Sequence, residues 1–168
     1  MSNYRRHYVP GGTWFFTVNL HNRRSDLLTR HLDTLRTATR IVKRTKPFLI
    51  NAWVILPEHM HCIWTLPEND TDYSGRWRDI KKTFTRTLGM SGIWQPRFWE
   101  HTIRDENDLR RHTDYIYINP MKHGYVTQVR DWPYSTFHLD VQQGLYPADW
   151  AGEVDDVDAG ERKGSGSL

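Results

Sequence analysis

AWVILPEHMHCIWTLPE, residues 52–68, decides the fold. Aromatic and β-branched residues crowd both sides of Pro57-Glu58. That pattern predicts two strands, 48–56 and 59–66, paired as an antiparallel hairpin. Side chains alternate along a strand. Met60, Cys62, Trp64 and Leu66 therefore share an apolar face that belongs in a core, and His59 and His61 share the opposite face with Ile63 and Thr65. Two imidazoles at i and i+2 project in parallel from one sheet surface. Alone, such a pair is as readily two half-buried histidines bonded to nearby carbonyls. Placed on a strand that buries its other face so fully, it can fill two positions around a divalent cation. An oxygen ligand, water and phosphate oxygens would complete a sphere suited to Mg²⁺ or Mn²⁺. A closed zinc site is not indicated, because there is no Cys-x-x-Cys and Cys62 faces the other way.

Outward from the hairpin, 13–20 (TWFFTVNL) reads as a strand. Leu28, Leu32, Leu35, Thr39 and Val42 recur at helical spacing, which predicts one long helix over 27–44, stopped by Pro47. A basic helix follows over 73–88, with Gly89 and Gly92 in the loop after it. Residues 97–104 (RFWEHTIR) read as a strand. Residues 107–119 read as a helix capped by Asp105 or Asn107 and closed before Pro120. Beyond Trp132-Pro133 the pattern weakens. The order strand, helix, strand, strand, helix, strand, helix is that of an α+β sandwich, the ferredoxin-like split βαβ arrangement around a central antiparallel sheet.

The helix over 107–119 carries a second signal. Residues four apart share a helix face, so Tyr115 and Asn119 lie together. The Asn119 amide carbonyl could be the missing oxygen ligand, with the Tyr115 phenol one turn away as a nucleophile toward a polarised phosphate. Tyr117 is rotated by about 200° from Tyr115 and faces elsewhere. A tyrosine attack on a phosphodiester conserves the bond in a phosphotyrosine that a later hydroxyl can reverse, which suits strand transfer.

With 168 residues the chain is the size of one domain, assigned here to 1–150. It carries a single cysteine and no apolar run of about 18 residues or signal-like N-terminus, so a cytoplasmic location without membrane attachment is expected. The formal net charge of +3 hides a contrast. Residues 149–168 hold Asp149, Glu153, Asp155, Asp156, Asp158 and Glu161 against Arg162 and Lys163, and the body is more basic. Segment 151–168 is expected to be a disordered acidic tail, able to fold back on the basic surface and compete with DNA. A basic, aromatic-rich body suits a polyanion with stackable bases. Arg5, Arg6, Arg78, Lys81, Lys82 and Arg86 are the candidate DNA-binding residues, and Trp94, Phe98 and Trp99 are candidates for base stacking.

These residues resemble a known family. His59-Met60-His61 is similar to the His-hydrophobe-His motif of HUH endonucleases, and Tyr115-x-x-x-Asn119 to the single-tyrosine helix of small transposases. Residues 4–12, 52–68, 92–106 (GIWQPRFWEHTIRDE), 114–126 (DYIYINPMKHGYV) and 131–138 (DWPYSTFH) resemble the REP-associated tyrosine transposases over nearly the whole chain. The resemblance implies a ferredoxin-like fold with the histidines on a central strand beside a Tyr115 helix. It implies metal-dependent cleavage and rejoining of single-stranded DNA at REP hairpins through a 5′-phosphotyrosine, by a monomer. Two positions depart from the pattern: Tyr117 stands where relatives commonly have His, and Met60 where Leu is frequent. A metal-dependent phosphodiesterase using water, and a non-catalytic binder of structured single strands, are the alternative functions.

Overall fold

The computed structural model describes residues 11–152 and 157–161. Arg5 and Arg6 fall outside the described residues. Strands β1 (Thr13–Asn19), β2 (Leu49–Ile55), β3 (His59–Thr65) and β4 (Trp99–Thr102) form one antiparallel sheet in the order β2-β3-β1-β4. That order, with helices joining β1 to β2 and β3 to β4, is the ferredoxin-like split βαβ topology. Alternation divides the sheet into two cores. Trp14, Phe16, Val18, Met60, Cys62 and Trp64 pack under helices α2 (Leu32–Thr45) and α3 (Tyr73–Leu88). Phe15, Ala52, Val54 and Ile63 face α4 (Glu106–Lys122) and its Tyr115, Ile116 and Tyr117. The His59/His61 face is thus the α4 face.

The helix expected over 27–44 is two helices, α1 (Leu27–Arg30) and α2, jointed at His31 with φ −114° and ψ 40°. The hydrogen-bond ladder continues across the joint: His31 N–H donates to the Leu27 carbonyl and Leu35 N–H to the His31 carbonyl. Helix α3 begins at an Asp72 cap that accepts from the Gly75 N–H and ends at Gly89, whose φ of 65° suits a residue lacking Cβ.

Helix α4 begins at the Asp105 cap and does not stop before Pro120. It runs through that residue to Lys122. Proline removes one N–H from the ladder, and here the loss falls in the last turns. Gly124, at φ 78°, then closes the end, and Tyr125 N–H returns to the Pro120 carbonyl. The extension matters, because it places Lys122 two turns beyond Tyr115 on the same face. After α4 come a 3₁₀ turn, Val129–Asp131, and a short α5, Phe137–Gln142, neither evident from the sequence.

Arg76 is an internal brace. It is 1% exposed. Its guanidinium donates to both Asp70 carboxylate oxygens and to the carbonyls of Lys46, Pro47 and Asp72, tying α3 to the segment leading into β2. Arg76→Met is expected to cost about 3 kcal/mol of stability, because it strands buried carbonyls and unpairs Asp70. Equilibrium urea unfolding measures it, and a loss below about 1 kcal/mol would refute the brace.

Candidate active site

His59 opens β3 and His61 follows on the same face, both buried. The Glu58 carboxylate hydrogen-bonds His59 Nδ1, which aims Nε2 into the site. A carboxylate on the far ring nitrogen is the usual way a ligating imidazole is oriented. His59 Nε2 is buried and has no hydrogen-bond partner. Burial opposes charge on this ring, but Glu161 and Glu58 outweigh it and push His59 up to about 9.

His61 is set by Thr17 on β1. The Thr17 hydroxyl donates to the Ala159 carbonyl at 2.6 Å, so its oxygen accepts from His61 Nδ1 at 2.7 Å. The lone pair of a neutral ring is then on Nε2, and burial pushes His61 down to about 4. Yet the Glu161 Oε1 lies 2.7 Å from that Nε2. Two acceptors at that separation require a proton or a cation between them.

Asn119, fully buried on α4, donates from Nδ2 to Glu161 Oε1 at 3.0 Å, and its Oδ1 has no partner. His59, His61 and Glu161 together can hold a metal ion. The orphaned Asn119 oxygen, the His61 lone pair, the Glu161 carboxylate and His59 Nε2 once its proton is displaced fit a hard divalent cation.

Tyr115 lies beside this group, 3% exposed, its ring centroid 5.4 Å from that of His61. Lys122 Nζ donates to the Tyr115 oxygen at 3.2 Å and sits 4.8 Å from the ring centroid. An ammonium there can stabilise negative charge that develops on that oxygen during a reaction. On α4, Asp108 accepts from His101 of β4 at 2.8 Å, which fixes the helix against the sheet edge, and within the helix His112 donates to the Asp108 carbonyl. Tyr117 points away. Its hydroxyl donates to Asp140 and lies 3.0 Å from the Thr136 hydroxyl, and burial together with Asp140 pushes the phenol well above its ordinary range.

The structure therefore brings His59, His61, Asn119 and Tyr115 together. Arg78, Lys81, Lys82 and Arg86 sit elsewhere, on α3, across the sheet from Tyr115.

Sequence reasoning did not assign Glu161. Where the acidic segment was expected to be disordered, residues 157–161 pack against the sheet: Ala159 is 4% exposed and Val157 touches the α4-side core. Glu161 also reaches Lys122 at 3.1 Å and His123 at 3.3 Å. Burial raises its pKa, but the imidazoles of His123, His59 and His61 close around it outweigh that and hold the carboxyl far below its usual range. The available signal was the charge contrast between tail and body. The roles of Lys122 and His123 in the site follow from the extension of α4 past Pro120.

No family model matches the chain. A REP-associated tyrosine transposase of Escherichia coli strain K12 is 68% identical over 162 residues, spanning 96% of this chain and 98% of the relative. A relative in Haemophilus influenzae is 47% identical over 169 residues, 92% of this chain and 96% of its own. Among solved structures, a REP-associated tyrosine transposase bound to a REP hairpin matches with a TM-score of 0.92 at 68% identity, covering 96% of this chain and 98% of that one.

Proposed function

From the premise that this chain belongs to the family of REP-associated tyrosine transposases, we propose that it cuts and rejoins single-stranded DNA at REP hairpins, with Tyr115 as nucleophile. The observation that carries the reading is the meeting, within one chain, of the Tyr115 phenol, the Lys122 ammonium and the His59/His61/Asn119 cluster. The similar solved structure, which holds a REP hairpin, supports the choice of substrate.

In this reading His59, His61 and the Asn119 amide oxygen would hold Mg²⁺ or Mn²⁺ once Glu161 leaves the site. The ion would supply charge to a phosphate as its bonds change. As the Tyr115 oxygen forms a bond to phosphorus its proton passes to solvent, which returns one to the departing 3′ oxygen, and the Lys122 ammonium stabilises the charge on the attacking oxygen. The bond from phosphorus to the 3′ oxygen breaks, leaving a 5′-phosphotyrosine and a free 3′-OH. Attack by a 3′-OH reverses the step and rejoins strands. Glu58 and Thr17 act by orienting the two imidazoles. Because phenol and imidazoles meet inside one chain, the protein acts as a monomer in this scheme. Among the described residues no helix is long and apolar enough to cross a membrane.

The test is a denaturing gel with REP hairpin DNA labelled with ³²P throughout its phosphates. With Mn²⁺, label is expected on a protein-sized band, and phosphoamino-acid analysis should return phosphotyrosine. Chelation with EDTA should erase the band. His61→Ala should lower adduct formation by about a hundredfold or more while hairpin binding persists. An adduct undiminished by EDTA and by His61→Ala would remove the metal from the scheme.

A further inference from the structure

On the sheet face opposite Tyr115, a cavity of about 630 Å³ opens between α3 and the loop leading to β4, lined among others by Trp77, Arg78, Lys81, Lys82, Trp94 and Phe98. Its chemistry is divided. Trp77, Trp94 and Phe98 present aromatic surface. Arg78 and Lys82 are exposed cations. Lys81 lies between the two: its ammonium is 5.8 Å from the Trp94 ring centroid and 5.6 Å from that of Phe98, and it donates to the Gln95 carbonyl at 3.2 Å. Burial lowers the Lys81 pKa to about 8. A desolvated cation with one carbonyl for a partner is costly to keep. The indole N–H groups of Trp77 and Trp94 are also buried without hydrogen-bond partners.

We infer that this cavity receives one unpaired nucleobase of the DNA, stacked on its aromatic wall and accepting hydrogen bonds inside it, with the flanking phosphates on Arg78 and Lys82. The inference rests on the single-stranded substrate proposed above. A base within a stem keeps both faces stacked on its neighbours, so only an unpaired base can enter. The volume lies inside the range of about 300–1,000 Å³ that encloses small organic ligands. Rings with interleaved cations are the general means of holding single-stranded nucleic acid.

The location fits a path from the site. The cavity loop is stitched to the end of β1: Leu20 pairs with Trp94, His21 N–H donates to the Ile93 carbonyl, and Gln95 N–H to the Asn19 carbonyl. Asn19 is the β3 register partner of His59. The His59 end of the site and the cavity loop therefore meet at the same end of β1.

The experiment uses REP hairpins in which each unpaired nucleotide beside the stem is replaced, one at a time, by an abasic residue. Affinity is read by fluorescence anisotropy in EDTA, for the full chain and for Lys81→Met and Trp94→Leu. At one position the abasic change is expected to weaken wild-type binding about tenfold or more, the worth of one stacked base. In either variant that penalty should shrink to less than about twofold, since the base no longer has its pocket. A penalty that survives in both variants, or no sensitive position in a wild type that binds the hairpin, overturns the cavity assignment alone. A wild type that binds no hairpin overturns the proposed function and this inference with it.

Discussion

Tyr115→Phe is expected to end covalent chemistry and leave binding in place. Phenylalanine retains the ring that packs against His61 and Phe15 and beneath the Lys122 ammonium. It loses the oxygen and with it the Lys122 hydrogen bond. Removing a covalent nucleophile costs about four orders of magnitude or more in turnover, so the labelled adduct should vanish. Hairpin affinity should change by less than about twofold, because phosphate and base contacts carry it. Tyr117 offers no rescue. Its hydroxyl is committed to Asp140 and Thr136, on the side of α4 facing α5, and its raised pKa keeps it a phenol. The same pair of variants separates the rival chemistries. Cleavage that survives Tyr115→Phe and dies in His61→Ala means an activated water attacks. Binding without cleavage in the wild type means a DNA-binding protein that no longer reacts.

The parts of this molecule legible in its sequence are those governed by local periodicity. Alternation in 59–66 separates Met60, Cys62 and Trp64 from His59 and His61, and the sheet preserves that division because one register slip would bury the wrong set. Tyr115 and Asn119 meet because four residues make a helical turn. The break at His31 was not legible: no glycine or proline marks it, and the dihedral change there leaves the hydrogen bonds intact. The stop placed at Pro120 failed because proline is costly mainly where a helix still has turns to lose. The 3₁₀ turn and α5 depend on distant partners, such as the Trp53 N–H on the Thr136 hydroxyl and Asp140 on Tyr117, which no local window contains. Glu161 was the largest omission. It meets His61 across 100 positions, and a compositional reading averages its charge with its neighbours' and sees only a solvated acidic segment.

That contact gives the second large effect: Glu161→Ala is expected to raise the initial rate of hairpin cleavage by about tenfold or more. Glu161 places one oxygen on His61, Asn119 and His123 and the other on Lys122. Those are the groups that the metal and a scissile phosphate would use. A carboxylate there imitates the substrate's charge and holds the Lys122 that Tyr115 needs. Charge-assisted hydrogen bonds of this kind are worth about 1.5–3 kcal/mol each, so displacing even one accounts for a tenfold change. Deleting 151–168 should act in the same direction and add affinity for DNA, with the affinity gain shrinking as salt rises, because part of it is electrostatic. The point variant isolates the carboxylate, since it leaves the Ala159 carbonyl on Thr17. An unchanged rate and affinity at low salt would remove the tail from the mechanism. A fall in rate on Glu161→Ala, recovered at high Mn²⁺, would instead make Glu161 a ligand the reaction requires: a tail that completes the site, where the expected rise makes it a tail that fills the site until DNA displaces it.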